Sequence, residues 1–307
     1  MRAAIRHFAS AAIAFLPFDS SAAALDAQEI APGVYVLEGA VALASPANEG
    51  AVANSGFIVG RDAVAVIDPG GSVAEGASLV EAVRDRTQLP IRYVIYTHMH
   101  PDHVLAAAPV VAASGAEVVA HAKLARALAA RAEYYVAGAI EALGAEATDA
   151  LRVVLPDQEV EDAGKLDLGD RPLSLRAWPT AHTDNDLTVV DERTGTLFAG
   201  DLLFLHHLPV VDGSIKGWLA IKDELTALPA TQAVPGHGPA VVDWPAASAE
   251  QFAYLATLAD AVRAQIADGA GLAEAVEAIP PPAADWDLVE AFHRRNVTAA
   301  FTELEWE

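Results

Sequence analysis

Three observations predict an α/β fold with a helical extension at its C-terminus. In the first half, apolar strand-like runs are separated by a helix in the order that a parallel crossover requires. In the second half, strand-like runs are joined by short turns, and beyond residue 245 the pattern becomes helical. A dense group of imidazole and carboxylate side chains follows one strand run, at the loop where such sheets keep their chemistry.

Val34-Tyr35-Val36-Leu37 and Gly56-Phe57-Ile58-Val59 are β-branched and aromatic runs and read as strands. Gly60-Arg61-Asp62 turns the second run into Ala63 to Asp68, a hairpin entering a sheet. Pro69-Gly70-Gly71-Ser72 then breaks the strand and caps a helix to about Arg86. Ile91 to Tyr96 returns as a buried strand, and Val104 to Ala108 starts a helix. A long Ala-rich helix is expected over about 122–143. A second half begins near Val160, with strands at 173–178, 187–191 and 196–199, the last two joined by Glu192-Arg193-Thr194-Gly195. Helices follow to about 268 and over 272–278, then Pro280-Pro281-Pro282 breaks the chain before a last helix over 286–304. The expected organisation is a domain over 28–244 and a helical extension over 245–307.

Residues 1–24 are expected to be a cleaved secretory signal. Arg2, Arg6 and His7 are weakly basic, Phe8 to Phe18 is apolar, and Ser21-Ala22-Ala23-Ala24 offers a small-residue cleavage region. The apolar stretch is too short to span a bilayer, and no later segment is long enough, so an exported, periplasmic protein without a membrane span is expected. Acidic residues outnumber basic ones by 42 to 19, a net charge of −23 that repels phosphate backbones and excludes nucleic acid as a partner. The absence of cysteine leaves stability to the core and removes thiolate as a metal ligand. Imidazole and carboxylate remain, a set that suits zinc and some iron or manganese sites.

Thr97-His98-Met99-His100-Pro101-Asp102-His103 places three histidines and an aspartate on one strand-to-helix loop. Burying so many polar groups is costly unless a cation pairs them. Three further segments carry a potential ligand at a strand end: His182 in Ala181-His182-Thr183, Asp201 after Gly200, and His237 between Gly236 and Gly238. His98 and His100, two apart on extended chain, can share one ion with His182. Asp102 and His103 bend away at the helix start to hold a second ion with His237, and Asp201 is placed to bridge.

This pattern, His98-x-His100-x-Asp102-His103 with His182, Asp201 and His237, resembles the metallo-β-lactamase superfamily over about Val34 to Val242. The resemblance implies an αββα sandwich with metals at one edge of two facing sheets. The ligand set is more similar to glyoxalase II and the lactonases than to cysteine-using β-lactamases. Other phrases resemble the exported zinc metallohydrolases of quinoprotein relay systems, second type: Ser45-Pro46-Ala47-Asn48, 181–189, Gly200 to Phe204, Asp212-Gly213-Ser214, Gly217-Trp218-Leu219 and 292–301. Tyr96 departs from that pattern, where asparagine is frequent.

The resemblance implies two Zn2+ per chain and a hydroxide bridging them that attacks an ester, thioester, lactone or amide carbonyl of a small molecule. Asp102 would orient that hydroxide and pass its proton on. Asp68, Asp184 and Asp186 are candidates either to accept the free N–H of a ligand histidine or to cap turns. Tyr134 and Tyr135 are expected at the pocket, and His206, His207 and Lys216 form one wall of it or a solvated loop. His293, Arg295 and Asn296 either reach substrate, by analogy with glyoxalase II, or are the hydrated face of an amphipathic helix. A functional link to a quinoprotein dehydrogenase is expected; the rival readings are a non-catalytic quinone-cofactor carrier and an iron-dependent redox protein.

Overall fold

The computed structural model describes residues 26–283 and 285–307; the expected signal segment, 1–24, lies outside them. The first sheet has seven strands in chain order: β1 (Gln28–Ala31), β2 (Val34–Leu37), β3 (Ser55–Val59), β4 (Val64–Ile67), β5 (Ile91–Ile95), β6 (Glu117–His121) and β7 (Gln158–Val160). Between them run α1 (Val73–Arg86), α2 (Pro101–Val104), α3 (Ala107–Ser114), α4 (Leu124–Leu143) and α5 (Ala145–Thr148). β1 to β4 pair antiparallel, whereas β4 to β7 pair parallel, as the crossover through α1 requires. Ser72 caps α1 as expected, its side chain accepting from the Glu75 N–H.

The second sheet is built from β8 (Ala163–Asp167), β9 (Pro172–Ala177), β10 (Leu187–Asp191), β11 (Thr196–Phe204), β12 (Gln232–His237) and β13 (Val242–Asp243), ordered β13-β12-β11-β10-β9-β8. Its helices are α6 (Ile215–Ala220), α7 (Lys222–Thr226), α8 (Ala249–Ala267), α9 (Leu272–Ala278) and α10 (Val289–Leu304).

Strand alternation sorts the side chains into layers. Ala65 and Ile67 of β4 meet Leu175, Leu187, Val189 and Phe198 of the second sheet. Val64 and Val66, one residue out of phase, turn outward onto Leu79 and Val83 of α1 and pack with Leu128 of α4. On the other flank Leu197, Ala199 and Ala233 pack with Trp218 of α6, Leu255 of α8, and Val297 and Phe301 of α10. The result is the αββα sandwich with a C-terminal helical region. Among the described residues, no helix is long and apolar enough to cross a membrane.

Three differences from the sequence reading stand out. β11 continues through Asp201 to Phe204 because Leu202, Leu203 and Phe204 are buried and prolong the strand. β7, β8 and β13 are short or polar, β8 is half exposed at a sheet edge, and β6 is buried at four successive positions, so alternation could not reveal them. The last helix starts at Val289 rather than 286, after Leu288 in a left-handed conformation (φ 61).

At the end of the sandwich away from the histidines, Arg171 is 1% exposed and joins the sheets. Its Nε and Nη2 donate to the two Asp191 oxygens at 3.1 and 2.7 Å, Nη1 donates to the Val59 carbonyl at 2.7 Å, and Nη2 also to the Pro32 carbonyl at 3.0 Å.

Candidate metal centre

The loop after β5 carries His98 and, in an extended conformation, His100, and Pro101 at the first position of α2 turns Asp102 and His103 back beside them. His182 stands on the β9–β10 loop, Asp201 inside β11, and His237 at the end of β12. Gly200 (φ +53) admits this crowding: a Cβ there would lie 2.3 Å from the Thr97 hydroxyl oxygen. A Cβ at Gly236 would lie 1.9 Å from Asp201 Oδ1.

His98, His100, His182 and Asp201 offer ligand atoms within 4.8 Å of one another, and Asp102, His103 and His237 form a second such group. This is the partition expected from the spacing. Asp201 divides its oxygens between them. Oδ2 lies 3.3 Å from His182 Nε2 and 3.7 Å from His98 Nε2, while Oδ1 lies 3.2 Å from His103 Nε2 and 3.5 Å from His237 Nε2. Asp102 Oδ2 is 3.4 Å from His237 Nε2 and 3.8 Å from His103 Nε2. His100 differs in presenting Nδ1, 3.0 Å from His182 Nε2.

The opposite ring nitrogens are held by oxygens. His103 Nδ1 donates to Asp68 Oδ2 at 2.9 Å, His182 Nδ1 to the Val210 carbonyl at 2.7 Å, and His237 Nδ1 to the Val52 carbonyl at 2.8 Å. His100 Nε2 faces Asp212 Oδ2 at 3.1 Å. The Thr97 hydroxyl donates to Asp68 and is left to accept from His98 Nδ1 at 3.1 Å. Each anchor turns a lone pair inward, and among the described residues the buried atoms His98 Nε2, His103 Nε2 and Asp201 Oδ1 face one another with no hydrogen-bond donor among them in that tautomer. Leaving such atoms unpaired costs about 1–3 kcal/mol each. Two divalent cations between them would satisfy all three, so five imidazoles and two carboxylates fit a two-cation centre.

The electrostatics agree. Burial, with the neighbouring imidazoles, holds His98 well below the usual histidine range, and burial pushes His182 down to about 4. Burial also opposes charge on His103 and His237, but Asp201 and Asp102 outweigh it, raising His103 well above its ordinary value and His237 to about 9. Without a cation, protons on these two rings neutralise the carboxylates. That stabilisation is fully present below the ordinary histidine value of 6.5 and is lost as pH rises through about 9. A bound cation must displace those protons. Cation uptake at pH 7 is therefore expected to release protons, with affinity climbing between pH 6.5 and 9; calorimetry in buffers of different ionisation heat measures it, and a pH-independent affinity would contradict the assignment.

Asp68 takes the first of the two roles open to it. Besides His103, it accepts from the Thr97 amide at 2.7 Å and hydroxyl at 2.6 Å, from a left-handed backbone (φ 47). Asp68→Ala should weaken cation binding by about 10- to 100-fold, read by chelator competition. Asp186 takes the other role open to it and caps the turn, whereas Asp184, among the described residues, meets neither a ligand histidine nor a backbone N–H. Asp186 accepts from the Thr183 amide and hydroxyl, and Asp184 is exposed and accepts from Asn185, because the Val210 carbonyl already occupies His182. Val52, Val210 and Asp212 were not found from sequence. A carbonyl leaves no residue signature, although Asp212 lies in the quoted phrase Asp212-Gly213-Ser214.

A family model described as the metallo-beta-lactamase superfamily matches residues 49–237, well over half of the chain and all seven ligand positions. The chain belongs to this superfamily. Solved structures of the same fold include the stereoselective inverting sec-alkylsulfatase Pisa1 from Pseudomonas sp., at 16% identity and TM-score 0.69, covering 91% of this chain and 50% of that one. The superfamily protein therefore spans about half the length of that sulfatase. A metallo-beta-lactamase from Pontibacter korlensis is similar at 19% identity and TM-score 0.60, covering 76% of this chain and 99% of that one. No curated protein matches the chain.

In this superfamily member a cavity of about 640 Å³ opens over the two groups. Tyr135, Phe204 and Phe292 wall it, Leu43 and Tyr134 stand at its exposed rim, and Arg131 and Arg295 bring positive charge. Tyr134 is thus where it was expected. His206 is not: it is exposed outside the cavity with φ 64, and its neighbour His207 lines the wall instead. His207 donates from Nδ1 to the Leu208 carbonyl at 2.7 Å and packs 4.8 Å from the His237 ring. Among the described residues its Nε2 has no hydrogen-bond partner, which leaves it to accept from a cavity ligand. His293 and Asn296 are also corrected from substrate contact, since both are buried: His293 bonds the Ile279 carbonyl, and Asn296 bonds the chain near Val210.

Proposed function

We propose that this protein is a hydrolase that uses two zinc ions to cleave an ester, thioester, lactone or amide bond of a small carbonyl substrate, in the periplasm and beside a quinoprotein dehydrogenase. The observation that carries the reading is the divided carboxylate of Asp201, one oxygen toward each histidine group, at the floor of an open cavity. When bound, the cations supply Lewis acidity and lower the pKa of water. Asp102 lines the cavity with 21% of its side chain exposed, and although burial opposes its charge, His103 and His237 keep it ionised. In this reading it orients the attacking water, accepts its proton and returns that proton to the leaving group. Beside the apolar walls, His207 Nε2 offers an acceptor to substrate. The segment 1–24 and the phrases around His182, Asp201 and α10 support the setting.

The test is metal analysis of the purified protein followed by a panel of lactones, thioesters, β-lactams and alkyl sulfates. Two zinc equivalents and turnover of at least one carbonyl substrate, lost to chelation and restored by zinc, are expected. Asp102→Ala, assayed at saturating zinc because it also removes a ligand of the second cation, should lower kcat by about 10²–10⁴-fold. Zinc-loaded protein that turns over nothing but binds a quinone cofactor would overturn the reading in favour of a carrier.

A further inference from the structure

We infer that α10 is the positioning element for one of the two cation positions, the one at His100 and His182, and that the hydrogen bonds anchoring the other position come instead from the N-terminal half of the chain. This rests on the two-cation reading above. The link is residues 209–215, a strap crossing the turn that carries His182. It binds that turn directly, with the Asp212 amide donating to the His182 carbonyl at 3.3 Å and the Ser214 amide to the Ala181 carbonyl at 2.8 Å. It supplies the anchors of two ligands, the Val210 carbonyl for His182 Nδ1 and Asp212 Oδ2 for His100 Nε2.

The strap is itself gripped at both ends by α10. Asn296, fully buried, accepts from the Val211 amide at 3.0 Å and donates to the Pro209 carbonyl at 2.6 Å and the Tyr254 hydroxyl at 2.9 Å. Seven residues on, two helical turns and therefore on the same face, Glu303 accepts from the Ser214 hydroxyl and from the Ile215 amide at 2.8 Å. Between these grips lie the two groups that aim His182 and His100. The second position draws on other parts of the chain: His103 on Asp68 and His237 on the Val52 carbonyl. His98 also leans on that half, through Thr97 and Asp68. Asn296 and Glu303 are thus positioning residues acting through the strap.

The experiment titrates metal-stripped wild type, Asn296→Ala and Glu303→Ala with Zn2+ against a chromophoric chelator. His100→Ala serves as the reference for a centre reduced to the Asp102, His103 and His237 position. Both variants should hold one Zn2+ with wild-type affinity and the other about 10- to 100-fold more weakly, the residual ion matching that of His100→Ala. Folded variants that keep both ions at wild-type affinity, or that weaken both equally, would overturn the inference. Glu303 is only half-buried, so Glu303→Ala decides the matter if Asn296→Ala does not fold. A second readout needs no metal. The imidazole Nδ1 protons of His182 and His237 are each held by a carbonyl, and in Asn296→Ala the His182 proton alone should exchange with solvent at least about tenfold faster by NMR. A wild type that takes up no zinc would end the proposed function, yet this exchange would still report on the coupling. Unchanged exchange at His182 would end the coupling itself.

Discussion

Asp201→Asn is expected to yield a folded protein that retains at most one divalent ion and has lost on the order of 10³-fold in turnover. The side chain contributes to both histidine groups at once, Oδ2 to His98 and His182 and Oδ1 to His103 and His237. An amide keeps the shape but substitutes an N–H donor for one oxygen, and that donor faces ring nitrogens whose lone pairs are needed for a cation. It also removes the negative charge that the imidazoles of His237, His103 and His98 hold ionised against burial. Metal analysis and steady-state kinetics check the result, with circular dichroism confirming the fold. Two ions at wild-type affinity in this variant would mean that Asp201 does not bridge.

Arg171→Ala should cost about 3–5 kcal/mol of stability, because it strands a buried carboxylate. Asp191 is fully buried and loses both charge-assisted bonds, at 3.1 and 2.7 Å, and the Val59 and Pro32 carbonyls lose their donors. Arg171 is itself almost wholly buried, so solvent screening takes little from that figure. The metal ligands lie at the other end of the strands, where Asn54 just before β3 bonds the Pro235 carbonyl, so zinc affinity should not change. Urea unfolding should show a lower midpoint at constant slope. The double variant Arg171→Met with Asp191→Leu should recover much of the loss, since no buried charge is then left alone. A single variant within 1 kcal/mol of wild type would show the pair to be dispensable.

How far the sequence could be read depended on whether a residue's surroundings are local. Ser72 and α1, the strands around Gly60, and the division of His98 and His100 from Asp102 and His103 follow from spacing, Pro101 and turn chemistry over a few residues. Asp201 was legible as a ligand but not as the interior of a strand, because the strand's continuation is set by burial against α8 and α10. Asn296 and His293 look the same in sequence whether they meet a substrate or a backbone carbonyl. Only the packing of α10 shows that the carbonyls claim them. His206 and His207 could not be told apart for a related reason, as the left-handed turn at His206 decides which of two adjacent histidines faces the cavity.

The grip of Asn296 and Glu303 on residues 209–215 also spreads one small site over almost the whole chain. The anchors of His103 and His237 are Asp68 and the Val52 carbonyl, from the first strands. Those of His182 and His100 hang on a strap whose far support is the helix ending at Leu304. Loss of the last helix would therefore be felt at His100 and His182, more than 100 residues earlier in the chain.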